Sequence, residues 1–350
     1  MKIVLPYLPA LALCLFPFAG APAQSAQWDN IFGYLQTFDP LDVVIEADLK
    51  ALKEDRQGEE WQSAVFRIMQ GDSVAYEQQV QIAARGNMRR KTCDFPPVKI
   101  RFYQDAPADD SLADINQLKL VVSCRDRKED DQLVLMENLA YRLYNLITEE
   151  SFRVKSATIV FKTPDREKAY QESMAFFIES EKEMATRLGG RPLKPRIISP
   201  KIMDSLAFTR MSVFQYMIGN TDWGVYTRHN VKVVGFQTGR RPLVVPYDFD
   251  YSGLVDADYA IPSPDIPIQG VRERYYLGMC YSAQLHEQVF AEFLSRKHEM
   301  LNVCQRFSGL SYAGRQDARA YINSFFSILE NPKKATKEIV EHCNYRLKKN

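Results

Sequence analysis

The hydrophobic period of this chain changes twice between residues 41 and 178, and those changes limit the fold more than any other feature. Val43-Val44-Ile45, Ala64 to Ile68, Val80 to Ala84 and Val98 to Phe102 alternate or carry β-branched residues, which predicts four strands. Leu118 to Val122 predicts a fifth, after a polar, aspartate-rich connection over 105–114. Leu133, Met136, Leu139, Ala140, Leu143, Leu146 and Ile147 then recur at three- and four-residue steps, the period of an amphipathic helix over 132–148. Strands over 156–161 and 174–178 follow. The expected product is a mostly antiparallel sheet with one long helix inserted between its third-from-last and penultimate strands.

Beyond Glu179 the pattern is mainly helical. Helices are predicted over 181–187 and 202–218, separated by a Gly/Pro-rich link over 189–200. Val231 to Gly235 and Leu243 to Pro246 read as a hairpin around Thr238-Gly239-Arg240, and three further helices are predicted over 282–307, 315–330 and 333–348. No internal repeat or low-complexity segment interrupts this α+β order.

Lys2, an apolar run from Ile3 to Ala19 and the small-x-small triplet Ala21-Pro22-Ala23 form a secretory signal pattern, so the mature chain is expected to begin at Gln24. Pro6, Pro9 and Pro17 interrupt a run already short for a membrane span, and Leu13 before Cys14 is wrong for a lipoprotein signal. No stable membrane insertion is expected after cleavage, and a periplasmic or extracellular location follows. Five cysteines then remain: Cys93, Cys124, Cys280, Cys304 and Cys343. None lies at zinc-ribbon spacing, and export makes them disulfide candidates, the alternative being small buried apolar residues. Cys93 precedes one predicted strand and Cys124 ends the next, which suggests a bridge between them. Among the other three at most one pair can form. Lysine plus arginine number 45 against 44 aspartate plus glutamate, so no global field would draw the chain to nucleic acid.

The chemistry concentrates in Gly219-Asn220-Thr221-Asp222-Trp223-Gly224, closing on His229-Asn230, and in Pro246-Tyr247-Asp248-Phe249-Asp250. An aspartate, an asparagine and a paired-aspartate strand end follow the order in which kinase-like folds hold a base and two magnesium ions around a triphosphate. On these residues the chain resembles the spore coat protein H (CotH) type of atypical kinase and, more distantly, HipA-type and lipid-kinase catalytic cores. The resemblance implies a two-lobed protein-kinase-like fold, with an antiparallel sheet plus one long helix in an N-lobe over 24–179 and a mainly helical C-lobe over 180–350. It implies ATP with magnesium or manganese as cofactors. Asp222 would be the catalytic aspartate, with Asn230, Asp248 and Asp250 as metal ligands. Kinases usually space the aspartate and asparagine five residues apart, whereas Asp222 and Asn230 are eight apart. Either the loop bulges or Asn230 opens the next strand without touching metal.

The same plan assigns Lys119 to the phosphates and Glu137 on the long helix to hold it, with Lys99 the alternative lysine. Arg85-Gly86-Asn87-Met88-Arg89-Arg90-Lys91 is either a phosphate clamp or a charged hairpin tip, and Phe177-Ile178-Glu179 would be the hinge beside adenine. His229 is left between a structural and a substrate-contacting role. No G-x-S-x-G elbow, H-E-x-x-H helix or Walker loop is present. The expected function is exported phosphoryl transfer from ATP to a hydroxyl on a protein or envelope polymer. A non-catalytic binding module and a kinase-fold enzyme transferring AMP are the alternatives. The proline-rich segment 255–276 is the expected acceptor region.

Overall fold

The computed structural model describes residues 30–55, 60–86, 93–103, 116–125, 127–165, 169–194 and 197–344. The expected signal segment 1–23 and the basic tip Arg89-Arg90-Lys91 lie outside the described residues.

All seven strands expected in the first half form: β1 (Asp42–Ala47), β2 (Gln62–Gln70), β3 (Ser73–Ala84), β4 (Val98–Phe102), β5 (Gln117–Val121), β6 (Val154–Lys162) and β7 (Gln171–Ile178). They do not form the expected antiparallel sheet of a kinase N-lobe. The order β1-β2-β3-β4-β5-β7-β6 closes into a barrel, because β1 pairs in parallel with β6 as well as antiparallel with β2. Closure removes both sheet edges and encloses an apolar core. Phe66, Phe102, Phe161 and Phe177 all point inward and are fully or almost fully buried, with the Phe66 and Phe102 rings 5.0 Å apart, edge to face. Two short helices absent from the sequence reading, α1 (Ile31–Gln36) and α2 (Leu49–Glu54), pack Ile31, Phe32, Leu35, Leu49 and Leu52 into that core.

The long helix α3 (Lys128–Ile147) lies between β5 and β6 in sequence, as predicted, and covers the outer face of the barrel. Glu129, Asp130 and Asp131 occupy its first turn, where the helix dipole favours carboxylates. Asp131 also accepts from Ser173 Oγ and the Met174 N–H, at 3.0 and 3.2 Å, which ties this end to β7. Alternation along β5 and β7 puts Leu118, Leu120 and Phe177 inside the barrel. Val121, Phe176 and Ile178 face outward, into a second core shared with α3 and the C-terminal helices.

That second core continues through α4 (Glu181–Arg187), α5 (Ser205–Met217), α6 (Ala283–Ser295), α7 (Lys297–Arg306), α8 (Tyr312–Leu329) and α9 (Pro332–Ala335). The single helix expected over 282–307 is two, broken at Arg296, whose φ of −99° and ψ of 0° leave the helical region. Past α9 the expected helix degrades into a π turn over 336–340 and a 3-10 turn over 341–344. A small sheet in the order β10-β9-β8 combines the predicted hairpin, β9 (Val231–Gly235) and β10 (Leu243–Pro246), with β8 (Arg191–Leu193), which the Gly/Pro-rich link concealed.

The Cys93–Cys124 disulfide forms as expected, and Cys280–Cys343 provides a second. Two disulfides suit an oxidising compartment. Cys304 remains a buried thiol on α7, its pKa pushed up to about 12 by burial. Among the described residues no helix is long and apolar enough to cross a membrane.

Candidate active site

The loop that carries Asp222 is fixed from behind by the end of α5. The Asn220 N–H donates to Gln215 O at 2.8 Å and its side-chain amide donates to Gln215 Oε1 at 3.0 Å. The remaining Asn220 Oδ1 accepts the Asp222 N–H at 2.9 Å, so a buried amide sets the direction in which Asp222 leaves the helix. Gly219 has φ +66°, and a Cβ there would collide with Tyr321 Oη, so glycine meets both a conformational and a steric demand.

Asp222 and Asn230 are eight positions apart because a small hairpin is inserted between them. Gly224 and His229 exchange backbone hydrogen bonds of 3.0 and 2.8 Å across its base. Asn230 then returns to Asp222: its Nδ2 donates to the Asp222 carbonyl at 2.9 Å and to Oδ2 at 3.0 Å. His229 Nε2 meets the other carboxylate oxygen, Oδ1, at 2.8 Å. Both oxygens of Asp222 are thereby oriented, while its side chain stays 37% exposed and reachable from solvent. Arg228 and Asn230 have φ of +54° and +49°, left-handed values that non-glycine residues adopt at a cost of roughly 1–2 kcal/mol each.

Asp248 enters from the other strand of the hairpin. Val231 opposes Pro246, and the Tyr247 N–H donates to Asn230 O at 3.1 Å, so Asn230 and Asp248 emerge at the same end of the sheet. Asp248 is also left-handed, at φ +65°, with its N–H donating to Tyr141 Oη on α3 at 2.9 Å. Its carboxylate has no hydrogen bond or ion pair with the described residues. Asp250 is buried and accepts from Tyr259 Oη at 3.1 Å. Among the described residues no three His, Cys, Asp or Glu side chains converge as a metal cluster.

Facing Asp248 is a group of cations. Lys119 projects from the outer face of β5, opposite Lys99 on β4 and Ile178 on β7. Its Nζ lies 4.9 Å from the centre of the Tyr247 ring, and Lys232 Nζ lies 5.1 Å from the same ring. Lys232 is paired with Glu181 at 3.1 Å. Among the described residues Lys119 has no acceptor, and neither does Arg85, which follows β3 and whose charge is felt at Lys119, Tyr141 and Tyr247. Burial, with Arg85 and Lys232 adding repulsion, lowers the Lys119 pKa to about 7 against the pull of Asp248 and Glu181. Gly86 follows Arg85 at φ +84°.

Three assignments look different in three dimensions. Lys119 forms no ion pair with Glu137; it turns to Tyr247 and Asp248. Glu137 is buried one turn before Tyr141, where its charge and that of Asp248 add to burial in holding the phenol protonated. Lys99 stacks over the Trp61 ring at 4.8 Å, beside Arg101 at 4.2 Å. Glu179, expected at the hinge, has its carboxylate consumed by the Arg153 N–H at 2.9 Å, Arg153 Nε at 2.8 Å and Arg187 Nη2 at 2.6 Å. Its own N–H donates to Arg153 O. The residues the sequence reading did not assign are Tyr141, Tyr247 and Lys232. Tyr141 follows Glu137 by one helical turn, and Tyr247 adjoins Asp248, which were the available signals.

These side chains could hold a divalent ion together with a polyphosphate. The open Asp248 carboxylate and the Asn230 Oδ1 are hard oxygen donors of the kind that magnesium prefers, and Arg85 and Lys119 lack an anion among the described residues.

No protein-family model matches this chain, and no curated protein matches it. Among solved structures it is similar to the Helicobacter pylori proinflammatory kinase CtkA, at 8% sequence identity, with 72% of this chain and 94% of that chain covered and a TM-score of 0.35.

Proposed function

We propose that this protein is an exported kinase-like phosphotransferase that moves the ATP γ-phosphate, with magnesium or manganese, to a hydroxyl on a protein or envelope polymer. The observation that carries this reading is the confrontation of Arg85 and Lys119, cations without an acceptor among the described residues, with Asp248, a carboxylate without a donor among them. Partly buried charges left in this state lose hydration without gaining a partner, a cost that a charged ligand removes.

In this reading Lys119 and Arg85 bind the phosphates, and Asp248 and Asn230 hold the divalent ion. A divalent ion held there would supply positive charge against the negative charge that develops on the transferring phosphoryl group. Asp222 accepts the proton of the incoming hydroxyl while that oxygen bonds to the γ-phosphorus. The bond to the β-phosphate oxygen breaks and ADP departs. His229 and Asn230 hold the two Asp222 oxygens in register for that transfer. The acceptor is assigned to the segment 255–276, whose end is pinned by Arg272 to Asp317 at 2.9 and 3.0 Å.

Thermal stability of the oxidised mature protein, with and without ATP and magnesium or manganese, tests the reading. A rise in Tm that needs both nucleotide and metal and is lost in Asp248→Ala is the expected result. No shift at millimolar nucleotide would overturn it.

A further inference from the structure

A cavity of about 940 Å³ opens between the start of β1, α3, β6 and α7. Its volume falls in the range of roughly 300–1,000 Å³ typical of small-molecule sites. Leu135, Arg142 and Leu146 reach it from α3, and helical periodicity puts them on the face of α3 away from Glu137 and Tyr141, hence away from Asp248. Leu135, Met174 and Phe307 supply apolar wall.

At one corner two cations lack adequate anions. The Lys155 side chain is only 8% exposed, and its one acceptor among the described residues is Asp39 at 3.4 Å, a carboxylate whose own side chain is 94% exposed. Arg142 makes no hydrogen bond or ion pair with the described residues, and burial lowers its pKa from 12.5 while the charge of Asp39 opposes the shift. Glu299 on the cavity wall does not neutralise this corner, because Arg296 holds it at 3.1 Å. Ser156, also on the wall, accepts from Asn138 Nδ2 at 2.8 Å and so keeps its O–H to donate. A half-buried guanidinium with five donors and no acceptor among the described residues is costly unless an anion arrives.

We propose that this cavity binds an amphiphile with one anionic head, a carboxylate or a phosphate, seated against Arg142 and Lys155, with its apolar body along Leu135, Met174 and Phe307. The head displaces Asp39, which is already in water, and gains the bidentate geometry that a guanidinium offers to either anion. The apolar body replaces water on the stretch of wall formed by Leu135, Met174 and Phe307.

Titration calorimetry on the oxidised mature protein, with probes below their micellar concentrations, tests this. Dodecanoate or dodecyl phosphate should bind at one saturable site, and their ratio identifies the preferred head. Dodecanol, acetate and inorganic phosphate should bind at least tenfold more weakly. Arg142→Met should weaken the anionic probes tenfold or more without lowering Tm, since methionine keeps the apolar stem and Arg142 makes no hydrogen bond or ion pair with the described residues. Val303→Trp, which fills the cavity and spares both cations, should abolish binding. Three outcomes would overturn the proposal: no binding of either anionic probe at millimolar concentration, equal binding of dodecanol, or affinity unchanged in both variants.

Discussion

Asn230 reaches back across an inserted hairpin to hold Asp222 by two bonds from a single Nδ2, to the backbone carbonyl at 2.9 Å and to the carboxylate at 3.0 Å. The contact requires Asn230 to be left-handed, since an extended residue would open β9 one position earlier and turn the amide elsewhere. Asn230→Ala loses both bonds and places a Cβ residue at φ +49°, whereas Asn230→Gly loses the bonds alone. We expect the alanine variant to be less stable than the glycine variant by about 1 kcal/mol in denaturant unfolding. Both should lower transfer by about 10–100-fold, because an unrestrained carboxylate is misplaced. Equal stability of the two variants would refute the left-handed requirement.

Asp222 and Asp248 differ in what they already touch. Asp222 is held by His229 and Asn230, while the Asp248 carboxylate is open. Asp222→Ala should therefore leave metal-dependent nucleotide binding within a few-fold of the parent and cut transfer by several orders of magnitude. Asp248→Ala should abolish that binding. Calorimetric titration beside single-turnover assays separates the two, and equal loss of binding in both would contradict the division of roles.

The disulfides close loops of 31 and 63 residues, on which the loop-entropy relation places about 4 kcal/mol each. Cys93–Cys124 staples the approach to β4 to the exit of β5, next to Arg85 and Lys119, and Cys280–Cys343 ties the last turn to the segment before α6. Mild reduction should lower Tm by many degrees, and peptide mapping of the non-reduced protein should recover these two pairs with Cys304 free. A Tm insensitive to reductant would show that the loops are already constrained by packing.

Elements whose burial follows one period were legible from the residues. The stripe from Leu133 to Ile147 is α3, and each alternating run is a strand. Barrel closure was not, because nothing local in Val43 or Ile45 specifies that β1 meets β6 in parallel more than 100 residues later. Helices α1 and α2 are each six residues long, too short to show a period, and are marked only by the capping residues Asn30 and Asp48. At the site, the loop order brought Asp222 and Asn230 together as a pair. The partners of Lys119 and Glu179 depend on side-chain direction across the barrel wall and the small sheet, which strand alternation alone does not resolve.

Glu183 is buried beside Glu179, and its Oε2 has no hydrogen-bond partner. Burial first and Glu179 second raise its pKa from 4.5 to about 7, against Arg153 and Arg187. Between those values the folded protein keeps a proton that the unfolded chain has released, so stability falls as pH rises from 4.5 to about 7 and is flat above. Glu183→Gln removes the ionisation and keeps an acceptor for Arg153. It should stabilise the protein above pH 7 by on the order of 1–3 kcal/mol and have little effect near pH 4, measured as denaturant midpoints. A pH-independent difference would place the effect in packing.

Lys119 gives the opposite slope and a direct signature of ligand. Its pKa falls from 10.5 to about 7 in the folded state, so the penalty of holding it charged is complete below pH 7 and disappears as pH rises toward 10.5. A polyphosphate beside Lys119 adds the anion that Arg85 and Lys232 now make scarce, which restores the protonated form. Binding at pH 8 should then take up nearly one proton, about nine-tenths on a free pKa of about 7, and at pH 6 almost none. The uptake is read from the dependence of binding enthalpy on buffer ionisation enthalpy. Lys119→Met should remove the pH 8 uptake and, in the free protein, raise stability at pH 6 by a few kcal/mol at most, since the side chain is only partly screened from water. Nucleotide binding with the same proton balance at both pH values would show that the phosphates are held by Arg85 and not by Lys119.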